Sequence, residues 1–240
     1  MQADISSRSL RITGRRSSHF TRVAVIFADE LGLQVEFNAI HDLKSFDTSV
    51  YGGHPGLKMP TLHLGSHEST GTGDDNWLAG TDNICRRLAE LAGRADDPRV
   101  VLSHHLASDL LRNAQELVWN AMATQVQLVI GIRFAKLPAD SVFFQKATLG
   151  MQGSLAWLDA RLDALLGELH SPRDVSVFEV SLFCLLEHIV FCRTLPLDEF
   201  SNLRAFAATY GQRGSSQRTV FRYESAASPA AIAPVPFVAK

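Results

Sequence analysis

The sequence predicts an α/β part followed by an all-helical part. Short β-type runs alternate with helical patterns up to about residue 95, the signature of a small α/β domain. From Val100 onward helical periods dominate. Between the two, GRADDP at 93–98 has the composition of a linker. The 240 residues suffice for one large domain or two modest ones.

Composition narrows the function classes. Apolar residues make up 46% of the chain, enough for a real core. The net charge of −2 lacks the basic excess of a protein that holds nucleic acid by bulk charge. No apolar run approaches the roughly 18 residues of a membrane span, so neither nucleic acid nor membrane is expected as a partner. The opening MQADISSRSLRITGRR has no apolar stretch of secretory type, and a cytoplasmic location is expected. Cys85, Cys184 and Cys192 form no Cys-x-x-Cys pair and read as reduced, buried thiols.

Residues 9–14 (SLRITG) read as a strand. Residues 18–31 read as a helix, with Phe20, Ala24, Phe27 and Leu31 at helical spacing. Inside it VAVIF has strand propensity, but its neighbours keep the 3.6 period, which implies a helix buried on more than one side. Gly32 stands where a left-handed glycine closes a helix. QVEFNAI at 34–40 alternates as a strand, and MPTLHLG at 59–65 is a short strand with proline at its tolerated start. Residues 66–76 form a long polar loop. Residues 81–91 form a helix, with Thr81 as N-cap and Ile84, Leu88 and Leu91 as its apolar stripe.

In the second part, Leu102, Leu106, Leu110, Ala114, Val118 and Met122 step at i+4 through one long helix reaching about Phe134. KLPADS at 136–141 breaks it. A second long helix covers 142–169 through Leu155, Leu158, Leu162, Leu165 and Leu169. Ser176 and Glu179 form a capping box ahead of VSLFCLLEHIVF. A last amphipathic helix carries Leu203, Phe206, Ala207 and Tyr210. The tail from Tyr223 is rich in Ala, Pro and Ser and reads as irregular.

Four segments now stand in a telling order: GRRSSHFTRVAVIFADELGL, HPGLKMPTL, GTDNICRRLAELAG and VSVFEVSLF. Together, over about residues 9–222, they resemble the glutathione transferase superfamily. The resemblance implies a thioredoxin-like glutathione-binding domain over 8–92, an all-helical domain over 100–222 and an irregular tail over 223–240. It also implies glutathione as co-substrate, a small apolar electrophile as second substrate, and a homodimer.

By this resemblance Ser18 occupies the place of the residue that hydrogen-bonds the glutathione sulfur. A free thiol ionises near pH 8.5, so a hydroxyl donor, backbone amides and a helix N-terminus are needed to favour the thiolate at neutral pH. An N-cap serine explains the same position, and one residue can do both. Ser17 is the alternative by one residue of register. In place of a redox Cys-x-x-Cys the helix opens with Ser18-His19-Phe20-Thr21, which closes dithiol exchange by that route. His19 reads as an exposed turn residue.

Met59-Pro60 matches the family's cis-proline segment, where the residue before proline pairs its backbone with glutathione. Lys58 either meets the glycyl carboxylate or is a solvated lysine. The start of the third family helix reads Gly80-Thr81 where Glu-Ser is usual. Thr81 and the local amides remain able to hold a carboxylate. The acid opposite the γ-glutamyl ammonium is missing at Gly80, and Asp82 is the nearby substitute.

The second substrate is expected against Leu110, Ala114, Val118 and Met122. Two other readings stand beside the enzyme: a binding protein that keeps the fold without catalysis, and a reductase using Cys85, which faces away from the Ile84–Leu88 stripe. His63 with His67 and His104 with His105 read as scattered surface histidines, without the three or four convergent ligands of a zinc site. Arg8, Arg22 and RITGRR read as a solvated edge or the rim of an anion site. GTGDD at 71–75 lacks the Gly-Lys-Ser/Thr of a phosphate loop.

Overall fold

The computed structural model describes residues 10–65 and 76–224. Ser9, Arg8, His67, GTGDD, most of the polar loop at 66–76 and the tail beyond Glu224 lie outside the described residues.

Strand β1, Leu10–Gly14, buries Leu10 and Ile12 and turns Arg11 outward. Helix α1, His19–Glu30, returns the chain to β2, Val35–Ala39, which pairs parallel to β1. Val23, Ala24, Ile26 and Phe27 of α1 are all fully buried. The VAVIF run is thus helical, because α1 lies between the sheet and the helical part. Gly32 takes φ +71° and closes the helix as expected.

A 3-10 turn at Thr48–Tyr51 leads to β3, Thr61–His63, antiparallel to β1. Strand β4, Trp77–Ala79, then pairs antiparallel with β3. Its three residues are too few to show a period, and the sequence reading missed it. Among the described residues the sheet order is β2-β1-β3-β4. Helix α2, Thr81–Leu91, follows at once. Cys85 does not face away from its stripe: it is fully buried with Ile84 and Leu88.

The helical part opens differently from expectation. Residues 100–108 are no helix. Val100–Val101 form strand β5, and Ser103–His105 form a 3-10 turn. Leu102 and Leu106 are buried there, so a core demand mimicked the helical period. Helix α3, Asp109–Gln127, starts at Ser108, whose side chain accepts from the Leu111 amide. A π-helical stretch, Leu128–Phe134, prolongs it. Gly131 leaves room for its neighbour within that stretch: a Cβ there would lie 2.5 Å from the Phe144 ring, which would have to shift.

The predicted helix over 142–169 is two, α4 at Val142–Asp159 and α5 at Leu162–Glu168, parted at Arg161 with φ −120° and ψ 4°. Strand β6, Val175–Ser176, pairs parallel with β5 and feeds α6, Val177–Cys192. The expected capping box is absent. The Ser176 hydroxyl is buried without a hydrogen bond, and Glu179 instead forms a two-pronged pair with Arg173 at 2.6 and 2.9 Å. A nearby arginine outbids a backbone amide for a carboxylate because its bond is charge-assisted on both sides. Helices α7, Ser201–Tyr210, and α8, Gly214–Arg218, are the last among the described residues. The sequence reading carried only the first of these two.

Helix α6 is buried nearly all round and is the axis of the helical part. Helix α1 packs against it, joining the two parts into one core. No helix of the described residues is long and apolar enough to cross a membrane.

Candidate active site

Sheet register brings the predicted site together. Thr13 of β1 lies opposite Thr61 of β3, and Thr61 lies opposite Ala79 of β4. The chain leaves β1 towards Ser17 and Ser18, enters β3 from Lys58-Met59-Pro60, and leaves β4 into Gly80-Thr81-Asp82. All three segments therefore meet at one end of the sheet, before the first turns of α1 and α2. The peptide between Met59 and Pro60 is cis.

Ser18 is the N-cap of α1, with extended φ −99° and ψ 124°. Its Oγ accepts from the Thr21 amide at 3.3 Å. That bond uses an oxygen lone pair and leaves the hydroxyl hydrogen free to donate. The amides of His19 and Phe20, in the first helical turn, have no carbonyl four residues back within the helix. Ser18 is half-buried, so this cluster of donors reaches the surface.

Ser17 is engaged otherwise. Its Oγ accepts from Arg15 Nε at 3.2 Å, and its carbonyl accepts from His188 Nε2 at 3.1 Å. Arg15 also donates to the carbonyls of Ile40 and His41, which ties the turn to the end of β2. Glu224 accepts from the Arg16 amide at 2.7 Å and lies 3.7 and 4.0 Å from the Arg16 and Arg15 guanidiniums.

His19 corrects the sequence reading. It is no exposed turn residue but is 1% exposed. Its Nε2 donates to the Met122 carbonyl at 3.0 Å, across to α3. Its ring sits 4.2 Å from that of His188 on α6. His188 donates from Nε2 to Ser17, so its Nδ1 accepts from Gln125 Nε2 at 3.1 Å, and Gln125 accepts from Thr194. Burial pulls His19 down to about 4, against the smaller pull of its carbonyl partner. Burial, then the His19 charge, drives His188 well below the ordinary histidine range. Both rings are neutral at neutral pH. They are the residues sequence reasoning missed, since their partners lie 103 and 171 positions away.

At the rest of the site, Lys58 is exposed and Met59 half-buried, while Pro60 is buried. Gly80 has φ +87°, a conformation that strains any side chain. Thr81 is buried at the helix start. Asp82 accepts from the Ser103 hydroxyl at 2.6 Å and lies 4.0 Å from Arg86, keeping lone pairs to spare.

The predicted apolar wall needs correction. Ala114, Val118 and Met122 are at most 1% exposed, packed inside the helical core. Facing α1 from α3 instead is Trp119, its ring 6.3 Å from that of Phe20 and its buried Nε1 without an acceptor. A cavity of about 1040 Å³ lies elsewhere, between α6 and α7. Cys85 is fully buried, and burial first, then the Asp82 charge, raises its thiol well above the ordinary range, which disfavours a reactive thiolate.

No protein-family model matches the chain, and no curated protein matches it. Solved structures do. A glutathione S-transferase from Methylobacillus flagellatus with glutathione bound matches at TM-score 0.66 and 16% identity, over 89% of this chain and 100% of that one. One from Methylobacterium radiotolerans, in complex with glutathione sulfonate, gives 0.67 and 16% over 90% and 97%. A Pseudomonas fluorescens family member with bound glutathione gives 0.65 and 18% over 89% and 100%. The chain therefore has the glutathione transferase fold, a thioredoxin-like N-terminal sheet followed by a helical C-terminal domain.

Proposed function

We propose that the chain is a glutathione transferase-like enzyme. The observation that carries this is Ser18: its oxygen caps α1 while its hydrogen stays free to meet a sulfur anion at the positive end of the helix. The hydroxyl stabilises the thiolate of glutathione and is not itself a nucleophile. The thiolate forms a carbon–sulfur bond with an apolar electrophile as its leaving group departs with the electron pair. Of the two serines Ser18 is the better fit, because Ser17 is tied to Arg15 and His188.

Glutathione lies along 8–92, its cysteinyl backbone beside Met59 and Pro60, its glycyl carboxylate towards Lys58, and its γ-glutamyl end at Thr81 and Asp82. The second substrate rests between Phe20 and Trp119, against the helical domain of 100–222. A homodimer is supported by Phe46 at 90% exposure and by Phe134, Val142 and Phe143 exposed near the α3–α4 junction. These apolar side chains belong against a partner surface. A cytoplasmic place fits the three free cysteines.

The test is retention on immobilised glutathione together with turnover of an aromatic electrophile. Ser18→Ala should keep retention and lose rate. A second reading rests on Gly80, which carries no acid where the family pattern has one: a binding protein without turnover. Wild-type chain that neither binds glutathione nor turns over the electrophile would favour it.

A further inference from the structure

A cavity of about 280 Å³ opens between α1, β2 and the segment 218–222. Five arginines line it, Arg15, Arg16, Arg22, Arg218 and Arg222, with Val25 and Phe37 as apolar wall. Two carboxylates answer them. Asp29 pairs with Arg218 at 2.6 Å, and Glu224 stands beside Arg15 and Arg16. Arg222 is exposed and has no ion pair among the described residues.

Arg22 is the decisive member. It is 3% exposed and has no carboxylate partner among the described residues. Its guanidinium is held 4.9 Å from the Phe183 ring and 4.4 Å from the Phe221 ring. It donates to Thr219 at 3.3 Å and to the Ser216 carbonyl at 3.1 Å, while its buried Nη1 has no hydrogen bond. Aromatic faces offset only part of the cost of burying a charge, and a buried cation without a counter-charge is held at a penalty of several kcal/mol. The uncompensated charges are concentrated in a concave site, which focuses their field on whatever enters. Guanidinium forks match oxyanions in geometry as well as sign.

We propose that this cavity binds a small organic oxyanion, separately from the Ser18 site. About 280 Å³ with an apolar wall suits a small phosphomonoester or dicarboxylate. Its charged group faces the arginines and its carbon skeleton lies on Val25 and Phe37. Bound there, it ties α1 to the segment that carries Thr219 and Arg222.

The test is isothermal titration of the full chain at low ionic strength with two probes, 3-phosphoglycerate and succinate. One saturable site for at least one probe is expected, and the preferred probe tells phosphate from carboxylate. Added salt weakens it. Arg222→Glu, on the surface, should weaken binding roughly tenfold or more by reversing one charge at the cavity mouth. Arg22→Met should abolish it, and Ser18→Ala should leave it unchanged. Should Arg22→Met fail to fold, Arg222→Glu alone carries the test. No saturable binding of either probe, equal binding by Arg222→Glu, or displacement of the probe by glutathione overturns the proposal.

Discussion

The two ends of helix α1 are built for different work. At its C-terminal end every charge is answered. Glu30 receives two bonds from Arg213 and one from the Ser215 hydroxyl, and Asp29 receives Arg218. An acid at a helix C-terminus opposes the dipole, so these partners are needed. Burial works against ionisation of Glu30, but the bonds from Arg213 and Ser215 and the charges of Arg213 and Arg218 outweigh it and hold the carboxyl below its usual range. At the N-terminal end polar groups are left over. Ser18 spends a lone pair and keeps its hydrogen, and the buried His19 Nδ1, an acceptor because Nε2 donates to Met122, has no hydrogen bond. One end ties α1 to the helical part; the other leaves hydrogen-bonding capacity unspent.

The strongest break of this contrast is Ser18→Ala. Loss of one donor to the developing thiolate should lower kcat/KM by about 10²–10³-fold. Steady-state kinetics with glutathione and an aromatic electrophile read it out. A decrease below about threefold would return Ser18 to a cap alone, which is worth about 1 kcal/mol in urea unfolding.

The next effect is a pH dependence of stability set by the domain-interface histidines. His19 titrates at about 4 in the fold and near 6.5 when unfolded. Between these values the unfolded chain holds more protons, so stability rises with pH. It is complete above about 6.5 and falls as the pH drops towards 4, by about 3 kcal/mol for His19. The His188 shift has the same sign. Denaturant midpoints across this range check the slope, and His19→Gln should flatten it.

At the other end, Arg213→Ala strips the main partner from Glu30, whose side chain is 16% exposed. The expected loss is about 2 kcal/mol, between that of an exposed pair and a fully buried one. Because the native carboxyl is held low, the stability it confers is present above about pH 4.3 and fades below, and the variant should lose that acid-side dependence. Equal stability of variant and wild type at pH 7 would show the clamp to be ornamental.

Local signals were legible. The Ser18 cap, the Gly32 stop and the strand behind Pro60 are each encoded within a few residues and stand in the structure, whereas the cap of α2 is Gly80 and Thr81, expected as its N-cap, is the first helical residue. What failed were readings whose answer lies far along the chain. Leu102 and Leu106 kept a helical period but serve a short strand and turn held by Val175 and Ser176. The Ser176–Glu179 spacing suggested a box, and Arg173 took the glutamate. Ala114, Val118 and Met122 were rightly apolar, but which body they face depends on how α3 packs on α4 and α6.

By itself the sequence determined the order of sheet and helices and the donor at the head of α1, because periodicity and capping act through bonds between near neighbours. Tertiary structure alone decided that His19 is a buried, neutral strut against Met122, and that arginines 206 or 207 positions apart, Arg15 and Arg16 with Arg222, share one cavity. The charge of a group is set by the solvent and partners around it. Those are supplied by folding, when distant segments displace water from the same place.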